Sequence, residues 1–232
     1  MVLSFLSRLF GSGSSGKARG DVDARLARRE EQAKRAGPAY VGSVYNRAGD
    51  LALREGRPEE AVSYYGRAID AFLGDAQREA ARGVANKIVR VRPTAVRTLC
   101  TLTWLDLAAG HEATGFLHLR DYVDAAREAG ESVRAASQVY DMARISPFAE
   151  FVGAVADALD SLDYPERAKR VRGWAAEGSP DAIEDPEALA RACLDGAVHS
   201  SDRKEELLAD RRARRAAPEG DERVGDGRRY DG

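Results

Sequence analysis

Through the middle of the chain, apolar residues recur at the three-and-four spacing of a helix face, with almost no strict alternation of the strand kind. Over residues 38–199 this pattern breaks into short stretches, each with one apolar side. Three prolines punctuate it: Pro38, Pro93 and Pro147 each precede an apolar helix, at spacings of 55 and 54 residues. Each of those helices ends in a turn, at Gly56-Arg57-Pro58, Gly110-His111-Glu112 and Asp163-Tyr164-Pro165. A second helix follows with a small residue at matched places, Ala61, Gly115 and Ala168. A third spans residues 80–92, 133–146 and 187–199. Proline suits the first turn of a helix, where its missing N–H is no loss. Glycine permits the left-handed residue that ends one. The expected fold is therefore all-α, an antiparallel helical-hairpin solenoid of about three units of three helices. A single hairpin cannot bury its apolar face, so the units must stack.

The flanks read differently. In residues 1–16 an apolar decapeptide precedes a Gly/Ser stretch that reads as a flexible linker. On a helical wheel, Val2, Leu3, Phe5, Leu6, Leu9 and Phe10 share one side, with Ser4, Ser7 and Arg8 opposite. Residues 17–37 are charged, with Glu30/Lys34 and Glu31/Arg35 as i,i+4 pairs. They predict a solvated helix or linker. Residues 200–232 carry nine acidic and nine basic side chains among glycines, a mostly disordered tail by composition.

Net charge is −2, with 32% charged and 44% hydrophobic residues, so nothing pulls the whole chain toward nucleic acid or anionic lipid. Nucleic-acid binding is not expected. Arg78, Arg82 and Arg90, with Lys87 and Arg92 nearby, share a helix face that reads as solvated. No apolar run is long enough to span a membrane. Cys100 and Cys193 form no CxxC and sit in apolar helical patterns, as buried reduced thiols of a cytoplasmic protein do. Of the three histidines, His111 and His118 are seven apart beside Glu112, which is not the metal spacing H-E-x-x-H. No phosphate loop, nucleophile motif or dinucleotide fingerprint occurs. The expectation is a non-enzyme with no metal and no cofactor.

Residues 45–69 hold small side chains at Ala48, Gly49, Ala61 and Ala68, an aromatic at Tyr65 and a turn at Gly56. In this they resemble a tetratricopeptide-repeat (TPR) hairpin. Residues 94–127 look like a degenerate copy through Gly110, Gly115, Leu119 and Tyr122. Residues 147–180 do so through Ala156, Ala168, Ala175 and Pro180, with Arg172 where an aromatic is usual. The third helix per unit departs from the regular array of about 34 residues per repeat. The resemblance implies a groove lined by the first helix of each hairpin. By position those residues are Asn46, Asp50 and Arg54, then Arg97, Thr101 and Trp104, then Glu150 and Asp157. The Lys/Asn clamp for a C-terminal carboxylate is incomplete, because Asp50 would repel that group. The expected function is a scaffold that binds a peptide or helix of a partner protein. The six apolar N-terminal residues would be a second docking element. The alternative is a peripheral membrane adaptor, with residues 1–10 in the lipid interface and a basic flank behind them. A second copy of the chain is a further candidate partner, since the ends of a stack need covering.

Overall fold

The computed structural model describes residues 12–200, with side chains from Arg19 onward, and among them it contains helices and no strands. In chain order these are α1 (Ser12–Arg35), α2 (Pro38–Arg54), α3 (Pro58–Gly74), α4 (Arg78–Val91), α5 (Val96–Ala108), α6 (Glu112–Glu128), α7 (Ser132–Ile145), α8 (Ala149–Ser161), α9 (Pro165–Glu177) and α10 (Pro186–Ser200). The three prolines open α2, α5 and α8, so the units are α2–α4, α5–α7 and α8–α10. The apolar N-terminal docking residues and residues 201–232 lie outside the described residues.

One turn recurs inside the units. Gly56, Gly110 and Asp163 all take left-handed backbone, with φ of 71°, 66° and 67°. The next N–H then reaches back to a carbonyl of the preceding helix: Arg57 to Ala52, His111 to Asp106 and Tyr164 to Leu159, each at 2.9 Å. This Schellman geometry satisfies carbonyls that a helix end leaves open. Gln77 to Phe72 and Glu131 to Ala126, both 2.8 Å, repeat it around Ala76 and Gly130. Before Pro147 the chain instead runs extended at Ser146, as proline requires of its neighbour, while Pro93 sits in a turn closed by the Ala95 N–H on the Arg92 carbonyl at 3.1 Å.

From α1 to α9 consecutive helices pack side by side, and α6 also meets α8 while α7 meets α9. As far as α9, the even-numbered helices thus form one layer and the odd-numbered ones the other. The helical-repeat array expected from periodicity is present. Two things differ from expectation. First, α1 begins at Ser12, inside the stretch read as a linker, and it is not merely solvated: Val22, Leu26 and Ala33 are buried on the body. Three well-spaced apolar positions suffice because α1 also gains ionic partners. Arg57 bonds Asp23, and Arg67 bonds Glu30 at 2.7 Å. The Arg67 hydrogen bond holds the Glu30 carboxyl below its ordinary pKa. Second, α10 packs chiefly on α5 and also touches α3 and α7, rather than extending the stack beyond α9.

The reason lies in α5, where eleven consecutive residues from Thr98 to Ala108 are buried. A helix apolar on every side needs neighbours on every side. α4 and α6 flank it in sequence, and α10 covers what remains. The seam is close: a Cβ at Gly196 would lie 2.5 Å from the Trp104 ring. Gln138 of α7 accepts from the Trp104 indole at 2.9 Å and from the Ser200 hydroxyl at 3.3 Å, tying α5, α7 and α10 together. Cys100 and Cys193 are free and buried, and burial pushes their thiols up to about 11 and about 12.

Gly196→Ala should therefore destabilise the fold by about 1–3 kcal/mol through overpacking. Gly83→Ala, in open space within α4, should stabilise it by about 0.5–1 kcal/mol through helix propensity. Ala76→Gly should also stabilise, by about 1 kcal/mol, because Ala76 has φ of 56°. Urea denaturation of the three variants measures all of these.

Candidate binding site

The expected groove residues do not line one surface. A three-helix period places the first helices of successive units in alternate layers, so α2 and α8 lie in one layer and α5 in the other. Thr101 and Trp104 are buried, and Thr101 donates to the Arg97 carbonyl at 3.0 Å while Trp104 lies under α10. Arg97 is half-buried in the first turn of α5. Glu150 and Asp157 are exposed on α8, and Asp157 pairs with Arg172 at 3.2 Å. Arg172, which stands where a TPR-like hairpin has an aromatic, thus serves an ion pair.

Asn46 and Asp50 face α4. Lys87 donates to Asn46 at 2.9 Å and to Asp50 at 2.6 Å, and the Tyr65 hydroxyl donates to Asp50 at 2.7 Å. Burial alone would raise the Asp50 carboxyl, but Lys87 and Tyr65 outweigh it and hold it below its usual value. Burial and the adjoining Asp50 carboxylate push the Tyr65 hydroxyl well upward. These four side chains lock α2, α3 and α4 together. Lys87 belongs to this lock, not to a solvated basic face.

The open surface lies on the other flank of α2. Between α1 and α2 is a depression of about 810 Å³ lined by Arg25, Arg28, Arg29, Gln32, Arg47, Asp50, Leu51, Leu53 and Arg54. Beside it is another of about 750 Å³, which includes Glu31, Arg35, Tyr40 and Ser43. Arg28, Gln32 and Arg47 line both, so the two are halves of one furrow. Six arginines face two carboxylates. On α1 they stand at positions 25, 28, 29 and 35, a single helix face. On α2, Arg47 and Arg54 are two turns apart. Of the expected groove residues, the furrow includes Asp50 and Arg54. It also includes Arg25, Arg28, Arg29, Arg35 and Arg47, which in the sequence stand out only as charge. Their spacing on α1 is visible in the sequence, but it marks a wall only once Val22, Leu26 and Ala33 dock the adjoining face.

A second polar cluster is internal. Asp106, fully buried on α5, has His118 Nδ1 2.6 Å from one oxygen and Arg82 3.4 Å from the other. Arg82 also reaches His111 Nδ1 at 3.0 Å. The two histidines that the sequence places seven apart thus converge on one carboxylate. No set of three His, Cys, Asp or Glu side chains among the described residues is placed to ligate a metal ion. Nor is any described helix long and apolar enough to cross a membrane.

Removing His118 leaves a buried carboxylate with only long contacts, to Arg82 at 3.4 Å and His111 at 4.0 Å. His118→Leu should cost about 2–4 kcal/mol, and adding Asp106→Leu should recover part of it, as a double-mutant cycle in urea would show. For Asp50 the lowered pKa gives the sign. Its contribution is full above its ordinary value of 3.8 and lost as the pH falls through the lower folded value. The melting-temperature gap between the natural protein and Lys87→Met should accordingly narrow in acid.

No family model matches the chain, and neither a curated protein nor a solved structure does.

Proposed function

We propose that the protein is an interaction scaffold of TPR-like helical-repeat type, whose partner-binding surface is the furrow between α1 and α2. The observation that carries this reading is the furrow itself. It is open to solvent and framed by two helices that are pinned to the body. It is lined by donors that the fold leaves without partners. Arg28, Arg47 and Arg54 have no hydrogen bond or ion pair with any described residue. Tyr40 is 70% exposed at one end and Leu53 is 40% exposed at the other, apolar handles for a partner's side chains. A rigid concave surface with a few polar anchors supports binding with little ordering cost on the protein's side. The groove expected from the repeat is not where this reading puts the partner, because α10 occupies the α5 surface.

The alternative, a membrane adaptor, draws on the same basic face of α1, which follows directly on the apolar residues 1–10. Flotation with anionic vesicles separates the two. Under the scaffold reading, the chain without residues 1–11 keeps its protein partner. Under the adaptor reading, that truncation abolishes recovery with membranes and the partner together.

A photo-crosslinking amino acid in place of Tyr40, expressed in the native host, should give discrete protein adducts. The same substitution at Glu150, on α8 at the far end of the stack, should not. Equal adducts at both sites, or none at Tyr40, would count against the furrow.

A further inference from the structure

We infer that the furrow takes an acidic segment of its partner protein in extended form, with side-chain carboxylates seated on Arg28, Arg47 and Arg54. This rests on the scaffold reading and adds the chemistry of the partner.

The first argument is charge that the fold leaves uncompensated. Both carboxylates in the furrow are already occupied. Asp50 is held by Lys87 at 2.6 Å, and Glu31 by Arg35 at 2.9 Å. Arg25 reaches Glu55 at 3.4 Å, and Arg29 donates to Gln32 at 2.9 Å. Arg28 and Arg47 remain without an ionic partner among the described residues, and Arg54 makes no hydrogen bond there, although its charge favours the neighbouring Asp50 carboxylate. Guanidinium groups bind carboxylates through two parallel hydrogen bonds, so arginine is the residue suited to this ligand.

The second argument is spacing. Arg47 and Arg54 are seven residues apart on α2, about 10 Å along the axis. A chain in the extended polyproline-II form covers that distance in about three residues, one full turn, so side chains three apart share a face. Carboxylates three apart would meet both arginines, with Arg28 opposite on α1 able to take a third. From Tyr40 to Arg54 the α2 side of the furrow runs about 21 Å, room for about six extended residues. The interleaved Val44, Leu51 and Leu53 offer apolar contact between the charges.

The third argument is shape. The arginines stand on both helices that border the furrow, within reach of a chain laid along it. Asp50 and Glu31 also interrupt the positive field, which suits discrete carboxylates better than a continuous phosphate backbone.

Fluorescence anisotropy on the full chain tests this with a labelled peptide carrying Glu at every third position and Ala and Leu between. Comparators are its Gln counterpart, a single-stranded oligonucleotide, and vesicles of phosphatidylcholine and phosphatidylserine. The Glu peptide should bind at least about tenfold more tightly than the Gln peptide, and more weakly as salt rises. Arg47→Glu should weaken it about tenfold without changing the melting temperature, and Arg54→Glu should weaken it as much. Arg54→Lys should lose less. Arg127→Glu, on the exposed end of α6, should change nothing. Equal binding of the Gln peptide overturns the inference, as does an equal loss with Arg127→Glu. So does tighter binding of the oligonucleotide or vesicles through the same arginines. If the Glu peptide fails while the Tyr40 crosslinks persist, the acidic segment is wrong and the scaffold stands. If the crosslinks fail as well, the furrow is not the binding surface.

Discussion

The burial of α5 on every side organises this molecule. A stack of hairpins needs only two-sided helices, each with a face for its neighbours and a face for water. α5 has no face for water. Its apolar run, with Trp104 in the middle, obliges the chain to bring another helix back over it. That helix is α10, and the bare Gly196 lets it sit against the indole. What would be open surface in a simple array becomes core, and the last helix of the third unit leaves the stack to make it so.

The same burial explains why polar chemistry on α5 is so fully partnered. A carboxylate at the position of Asp106 is tolerable only with cations and donors around it. Arg82 and His118 supply them from the two flanking helices, so a cluster that resembles a site in its residue types acts as a fastener between three helices. The Lys87 cluster does comparable work between α2, α3 and α4. Charges inside the body are therefore committed to the fold. On the seam of α1 and α2, Arg28, Arg47 and Arg54 make no hydrogen bond with any described residue, and this contrast is what distinguishes the furrow.

Much of the fold was legible in the residues. Pro38, Pro93 and Pro147 mark unit starts because a proline ring dictates local backbone whatever surrounds it. Gly56, Gly110 and Asp163 mark turns because left-handed backbone selects residues that tolerate it. The site was less legible. Asp50 and Arg54 border the furrow, but the repeat register that singles them out treats α2, α5 and α8 as equivalent. In a two-layer stack, an odd number of helices per unit sends equivalent helices to opposite layers. Thr101 and Trp104 went inside for that reason and because α10 returned. The charge on α1 was counted, yet three buried positions in a polar stretch were too few to mark it as a packed wall.

By itself, then, the sequence determined the local quantities: where helices start and stop, which faces are apolar, and that the class is all-α with three similar units. These follow from backbone sterics and from periodicity, both of which act over a few residues. Only the tertiary structure decided which faces meet. The return of α10 to α5, the convergence of Arg82 and His118 on Asp106, and the pairing of α1 with α2 into an arginine-lined furrow all join residues distant along the chain. Such contacts depend on how many neighbours each helix must have to bury its apolar surface, a condition on the whole assembly that no single stretch of residues contains.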